Sequence, residues 1–350
     1  MIVIDSKNTV RTEPFDGLRT GTVEVLKNPS TGSGRTGGNP YLKNRPFKQV
    51  DVFTDTPYLG NPLAVVLNGA GLSDAEMATF ARWTNLSETT FLLPPTQPEA
   101  DYRVRIFTPD SELPFAGHPT LGSCHAWLEA GGKPKNTAKQ GLIVQESAIG
   151  LVRIQQNAST LAFAAPALKR SALSASKLAQ VAGALGISSQ QIIAAQFLDN
   201  GAQWLGLLLD STDTVLQISP NYITLKNLRL DVGVAGVYVA LPAMQLIARS
   251  SREARAFSAQ AAAAASNIEH ERVDIEVRAF MQSCEDPVTG SLNASLAQWL
   301  IEDGYMPESY TASQGMCLDR AGRVNIKRDT SGQIWVGGSV VTCIDGMVAL

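Results

Sequence analysis

At 350 residues the chain is long enough for about two domains. Its 44% hydrophobic against 17% charged residues supports a large core and excludes wholesale disorder. Lys+Arg 29 against Asp+Glu 32 leaves a net charge of −3, without the basic excess of a nucleic-acid binder. No apolar run reaches the roughly 18 residues of a membrane span, and no long apolar segment of a secretory signal follows Met1–Asp5. The cysteines Cys124, Cys284, Cys317 and Cys343 form no CxxC pair. These features predict a soluble, cytoplasmic protein with reduced thiols and with no nucleic-acid or membrane partner.

In chain order, residues 28–40 (NPSTGSGRTGGNP) are too polar and glycine-rich to offset the entropy of ordering them. Residues 1–47 carry +3 and the remainder −6. They are therefore expected to be a flexible extension, linker or cloning remnant, with the fold starting near Lys48-Gln49-Val50. Gly32-Ser-Gly34-Arg-Thr-Gly37 matches the GxGxxG dinucleotide pattern. The physical mechanism needs a strand before the glycines and a helix after them, and Asn28-Pro29 and Gly38-Asn39-Pro40 supply neither.

Ser73-Asp-Ala-Glu76 is a capping box, followed by Met77, Phe80, Ala81 and Thr84 on one helical face. An internal repeat then sets the architecture. Tyr102–Ile106 and Val273–Ala279 alternate with the period of a half-buried strand, and both contain Val-Arg-x-Phe, at 104–107 and 277–280. Each strand leads to a Pro-x-x-Gly-Ser sequence, at 119–123 and 287–291, and then to an apolar helix. The spacing from that Ser to Trp127 or Trp299 differs by four residues, about one helical turn. Glycine turns into strands follow at 149–154 and 321–326. The expectation is a duplication with halves at 48–166 and 167–350, each wrapping many short strands around one buried helix. Ser176–Leu185, closed by Gly186, and the alanine-rich Ala254–Ala265 are predicted as further helices.

The N-termini of the two repeated helices offer free N–H groups and partial positive charge, suited to a carboxylate or a developing enolate. If they face each other across a cleft, they make a pocket that needs no metal or cofactor. The polar candidates there are His118 on one side and Asp286 with Ser291 on the other, and Glu88 stands where a polar stretch meets an apolar strand. Each has a plainer alternative. Asp286 suits an N-cap, Glu88 a solvated strand end, and His118 a turn residue bonded to backbone. Cys124 and His125 read as packing residues and His270 as solvated. Three distant histidines give no zinc spacing, and there is neither a G-x-S-x-G elbow nor a Walker sequence.

These stretches are also where the sequence resembles the PhzF-like family of phenazine-biosynthesis isomerases and their relatives. The matching motifs are Val50-Asp51-Val52-Phe53 with Gly60-Asn61-Pro62-Leu63-Ala64-Val65-Val66, Leu86-Ser87-Glu88-Thr89-Thr90-Phe91, and Phe107-Thr108-Pro109 with Glu112-Leu113-Pro114-Phe115-Ala116-Gly117-His118. They continue with Glu285-Asp286-Pro287-Val288-Thr289-Gly290-Ser291, Gln314-Gly315, Arg320 and Val336-Gly337-Gly338, so the resemblance covers residues 48 to 350. It implies an α+β, diaminopimelate epimerase-like fold, with two pseudo-symmetric domains, each a barrel-like mixed sheet around a central helix. It implies Glu88 as general acid/base and His118 and Asp286 as partners in proton transfer. Gly117, Gly290, Ser291 and Gln314 are implied as substrate-binding positions, in a cofactor-free and metal-free homodimeric isomerase or epimerase.

One departure is Leu292-Asn293-Ala294 after Gly290-Ser291, where the family often has Ala-Asn-Gly-Pro; a bulky Leu292 is expected to reshape the pocket. Two other functions compete. One is an amino-acid epimerase with two opposed bases, although Cys124 and Cys284 are displaced from the helix starts where related enzymes carry thiols. The other is a catalytically silent small-molecule-binding member of the fold.

Overall fold

The structure, a computed structural model, describes residues 42–135, 141–238 and 273–350. Most of the 1–47 leader, the Gly32–Gly37 motif, the 254–265 stretch and His270 lie outside the described residues.

Alternating apolar segments become strands that close on themselves. The first set is β1 (Asn44–Val52), β2 (Asn61–Val66), β3 (Thr89–Leu93) and β4 (Tyr102–Phe107). After the two-residue β5 (Glu112–Leu113) come β6 (Leu142–Ser147), β7 (Gly150–Asn157) and β8 (Thr160–Ala164). The C-terminal strand β17 (Ile334–Ala349) pairs with both β8 and β1, which closes these strands into an eight-stranded barrel. The second set is β9 (Lys169–Ser171), β10 (Ile192–Asp199), β11 (Gln203–Leu209), β12 (Val232–Val237) and β13 (Ile275–Phe280). It continues through the short β14 (Glu285–Asp286), β15 (Ser309–Gln314) and β16 (Gly322–Arg328), and ends on the first residues of β17.

The duplication read from sequence is present in the topology. Parallel pairs fall at matching places, β2 with β3 and β4 with β6 in the first set, β11 with β12 and β13 with β15 in the second. Parallel neighbours need a crossover. Helix α1 (Asp74–Thr84) and helix α2 (Gly117–Glu129) serve the first set. The short α4 (Thr212–Gln217) and α5 (Tyr222–Leu228), together with α6 (Gly290–Glu302), serve the second; α3 (Ala175–Leu185) joins β9 to β10. β1 begins at Asn44, four residues ahead of Lys48, and the last ten residues of β17 pair with it. The C-terminus thus completes the first barrel, so a cut at 166/167 does not separate two self-contained stretches of chain.

The Val-Arg-x-Phe repeat has a physical basis. Arg105 lies 5.0 Å from the Phe107 ring and Arg278 lies 4.7 Å from the Phe280 ring. Each guanidinium forks onto a carboxylate on the adjoining two-residue strand, Arg105 onto Glu112 and Arg278 onto Glu285. The Pro-x-x-Gly-Ser correspondence, by contrast, is out of register. Both central helices have 13 residues and start at Gly117 and Gly290. Pro119 lies inside the first turn of α2, whereas Pro287 precedes α6. The apparent one-turn offset of the tryptophans came from aligning Ser123 with Ser291. A second difference concerns β13, which is buried along its whole length rather than on one face. Its polar residues are covered by partners: Glu276 accepts from the Tyr238 hydroxyl, and Arg278 donates to the carbonyls of Val215 and Ile218.

One continuous core takes residues from both central helices, including Leu121 and Cys124 from α2 and Leu292, Leu296, Trp299 and Leu300 from α6. A helix buried nearly all round, as α6 is, is held by packing, each large side chain contributing about 1.5–3 kcal/mol. Leu292 belongs to this core. It lies over Gly233 of β12, where a Cβ would come within 2.1 Å of its Cδ1. The bulk expected to reshape the pocket is instead taken up by the missing side chain on the neighbouring strand.

Candidate active site

The Ser73–Glu76 capping box starts α1, and Asn85 in the left-handed conformation ends it, turning the chain into β3 with Glu88 immediately before the strand. Thr90 points toward α2, where its hydroxyl accepts from Ser123 Oγ at 2.9 Å. Glu88, two residues earlier, shares that face. Its side chain is 14% exposed, which removes the solvated strand-end alternative. His118, the second residue of α2, is buried, and its Nε2 approaches Glu88 Oε2 to 3.2 Å. The pair lacks the alignment of a hydrogen bond, and among the described residues neither atom makes another one.

The second half of the chain reaches this pair through Asn61, a fully buried residue that opens β2. Its Nδ2 lies 3.3 Å from His118 Nδ1, 3.0 Å from Asp286 Oδ1 and 2.9 Å from the Val288 carbonyl. The other oxygen of Asp286 accepts from Thr289 Oγ1 at 2.5 Å. Thr289, not Asp286, occupies the N-cap position of α6, so capping does not account for the aspartate.

Burial, then the charge of Asp286, pushes the Glu88 carboxyl up to about 8. Burial also raises Asp286, but the hydrogen bonds from Thr289 and Asn61 oppose that rise. Among the described residues, Glu88 has no such donors. Of the two carboxyls, Asp286 carries the charge and Glu88 keeps the proton. Burial pushes His118 down to about 3, so its ring is neutral across the physiological range.

The starts of α2 and α6 abut. A Cβ on Gly117 would lie 2.7 Å from the Gly290 Cα, and one on Gly290 would lie 2.8 Å from the Gly117 Cα. Only glycine permits that approach. Among the described residues, α1, α3, α4 and α5 each have a side-chain cap, from Ser73, Ser174, Ser211 and Asn221. Neither α2 nor α6 has one. Two sets of N–H groups therefore come together beside Glu88, His118 and Asp286 without side-chain acceptors of the capping kind.

Ser291 and Gln314 sit behind this junction. Ser291 Oγ accepts from Trp204 Nε1 at 3.2 Å, and its carbonyl accepts from Asn200 Nδ2 at 3.0 Å. Gln314 Oε1 accepts from the Thr289 N–H at 3.0 Å and from Asn293 Nδ2 at 2.8 Å. Its Nε2 donates to the Asp286 carbonyl at 3.2 Å and to Thr289 Oγ1 at 3.0 Å. All four hydrogen-bonding positions of this buried amide are used within the protein. In this arrangement Gln314 braces the start of α6. Sequence reasoning missed Asn61, Thr289 and Asn293 as parts of the site. The available signal was a polar Asn61 opening the otherwise apolar run Pro62–Val66.

The thiols form no pair at the helix starts. Cys124 is buried in the core against Tyr102, and burial pushes its thiol up to about 12. Cys284 is exposed, two residues before Asp286. His125 contacts Thr342 Oγ1 at 3.0 Å and Glu129 Oε1 at 3.2 Å, a packing and pairing role. A hollow of about 390 Å³ lined by Trp204, Arg229 and Asp231 contains none of Glu88, His118 and Asp286. Among the described residues, no helix is long and apolar enough to cross a membrane.

Comparison with known proteins bears on this geometry. The family model described as phenazine biosynthesis-like protein matches residues 50–346. Antisense-enhancing sequence 1 of Schizosaccharomyces pombe is 34% identical over 315 residues, 86% of this chain and 97% of that protein. An uncharacterized isomerase of Pasteurella multocida is 30% identical over 84% of this chain and 91% of its own length. The trans-2,3-dihydro-3-hydroxyanthranilate isomerase of Pseudomonas fluorescens is 34% identical over 51% of this chain and 62% of its own. The crystal structure of a PhzF-family protein from Bacillus anthracis superposes with a TM-score of 0.69 at 20% identity, covering 88% of this chain and all of that one. A probable proline racemase from Agrobacterium radiobacter gives 0.54 at 14% identity, covering 87% of this chain and 93% of that one. These two likenesses carry the fold alone, an α+β epimerase-like architecture. With the family model spanning both strand sets, the chain belongs to the phenazine biosynthesis-like (PhzF) family of isomerases.

Proposed function

We propose that this protein catalyses a cofactor-independent proton transfer, a tautomerisation or epimerisation, on a small carboxylated metabolite. The 48–166 half supplies Glu88 and His118 and the 167–350 half supplies Asp286. In this reading the Glu88 carboxylate removes a proton from a carbon made acidic by an adjacent unsaturated or carboxyl-bearing group. The electron pair delocalises into that group, and protonated Glu88, its acidic proton exchanging with solvent, delivers a proton to a carbon of the same molecule.

The observation that carries the proposal is the position and environment of Glu88. It is a nearly buried carboxyl with an unpaired oxygen beside a neutral histidine, and its ionisation is shifted toward neutral pH. An ordinary carboxylate is a weaker base toward a carbon acid. One poised near 8 is a stronger base when ionised and a competent acid when protonated, so a single residue serves both halves of the transfer. The uncapped starts of α2 and α6 supply positive potential for the substrate carboxylate or for the charge that builds on it. In this reading the backbone at Gly117 and Gly290, with Ser291 just behind it, holds the substrate. The thiol-pair alternative has little support, because Cys124 is sealed in the core.

The test is solvent-deuterium incorporation. The protein in D₂O is given a panel of small carboxylates that includes trans-2,3-dihydro-3-hydroxyanthranilate, diaminopimelate and proline, and the products are read by mass spectrometry. One labelled compound identifies the substrate class; no label in any of them favours the silent binding protein. The family resemblance further leads us to expect a cytoplasmic homodimer, which sedimentation velocity of the purified chain would test as to its assembly.

A further inference from the structure

We infer that Asn61 is a positioning residue that locks His118 in the tautomer carrying its proton on Nε2, toward Glu88. The inference begins with the orientation of the Asn61 amide. Its Nδ2 faces two oxygens at once, Asp286 Oδ1 at 3.0 Å and the Val288 carbonyl at 2.9 Å. Exchanging the amide oxygen and nitrogen would place three lone-pair-bearing oxygens together, so the NH₂ group must lie on this side. The same NH₂ group faces His118 Nδ1 at 3.3 Å. An amide nitrogen accepts no hydrogen bond. A proton on Nδ1 would therefore point at a donor, whereas a lone pair there receives one. The contact is the longest of the three and shares the two amide hydrogens with the oxygens, as a three-centre bond does.

With the lone pair on Nδ1, the neutral ring carries its hydrogen on Nε2, the atom 3.2 Å from Glu88 Oε2. His118 is then a hydrogen-bond donor into the site and not a base. A second consequence follows from where Asn61 is anchored. It belongs to β2 of the first barrel, but the oxygens that fix its amide belong to the segment leading into α6. The tautomer is therefore set only when the two halves are docked, which couples their assembly to the protonation pattern of the site. The part of this inference that concerns turnover rests on the proposed proton transfer; the tautomer does not.

The chain has three histidines, so ¹⁵N-histidine labelling gives a readable two-bond ¹H–¹⁵N spectrum, in which His118→Asn assigns the His118 ring. Unmodified protein should show one His118 form, protonated on Nε2 alone. Asn61→Asp puts an acceptor opposite Nδ1 and should protonate that nitrogen, and Asn61→Ala should give a mixture of tautomers. A wild-type ring protonated on Nδ1 overturns the inference. So does retention of the pure Nε2–H form in folded Asn61→Ala, which is the deciding variant if Asn61→Asp does not fold. Because the spectrum is recorded without substrate, its outcome is independent of the isotope-exchange result. If both readings hold, Asn61→Ala should also lower exchange at least ten-fold while its melting transition stays cooperative.

Discussion

Gly117 and Gly290 meet at the starts of the two central helices, so closely that a methyl group on Gly117 would stand 2.7 Å from the Gly290 Cα. This contact joins the two halves of the duplicated chain at the point where the helix N–H groups, Glu88 and Asp286 come together. Gly117→Ala and Gly290→Ala must each push one helix back. Overpacking of this kind costs about 1–3 kcal/mol, and the displaced N-termini should lower turnover more than ten-fold. Gly183, inside α3 with open space around its would-be Cβ, is the control. Gly183→Ala should stabilise the protein by about 0.4–1 kcal/mol and leave turnover unchanged. Urea unfolding and the isotope-exchange assay read both effects.

Asp286→Asn tests the electrostatic coupling. The charge on Asp286 disfavours ionisation of Glu88, so replacing it with a neutral amide should bring the Glu88 carboxyl down. If the Glu88 carboxylate starts the reaction, exchange in the wild-type protein rises with pH as Glu88 loses its proton. In Asp286→Asn that rising limb should move toward acid by about one pH unit, the equivalent of 1.36 kcal/mol of interaction. A pH–rate profile of both proteins decides it; an unmoved limb would remove Asp286 from that role.

Glu88 should also leave a mark on stability. Its folded pKa, about 8, lies above the 4.5 of an ordinary glutamate. Between those values the folded state binds more protons than the unfolded state, so this residue makes stability fall as pH rises. Glu88→Gln abolishes the contribution. Its Tm relative to wild type should be higher at pH 8.5 than at pH 5, by about 2 °C or more. Differential scanning calorimetry at the two pH values measures the difference.

The duplicated arginine–glutamate forks provide an internal comparison of exposure. The Arg105 and Glu112 side chains are 19% and 38% exposed, and Arg105 keeps a second partner in Asp74. Arg278 and Glu285 are each 6% exposed. Glu112→Gln should cost under about 1 kcal/mol. Glu285→Gln leaves a buried guanidinium without its counter-charge and should cost about 3–5 kcal/mol. Equal losses in denaturant titrations would contradict this account of burial.

Much of the fold was legible in the sequence because period and punctuation are local. Ser73–Glu76 capped its helix as read, Gly186 ended α3, and Val-Arg-x-Phe marked equivalent strands. What failed was register. Pro-x-x-Gly-Ser recurs by composition, but equivalence is set by which residue packs against which, and Gly117 faces Gly290. The alternation in β13 likewise concealed a fully buried strand, since ion pairing and hydrogen bonding to distant residues are invisible to periodicity. Glu88, His118 and Asp286 were each readable as candidates, and the fold brings Glu88 beside His118 and links His118 to Asp286 through Asn61. Asn61 itself was not singled out, because its partners lie 57 and 225 residues away along the chain.

The most direct test of the central claim compares wild-type protein with Glu88→Gln in D₂O, using the carboxylate that the panel identifies. A glutamine preserves shape and removes the proton-transferring oxygen. The account predicts deuterium in the product of the wild-type protein and a loss of at least a thousand-fold in the folded variant. Label entering at an undiminished rate in Glu88→Gln would contradict it and move the chemistry to another residue.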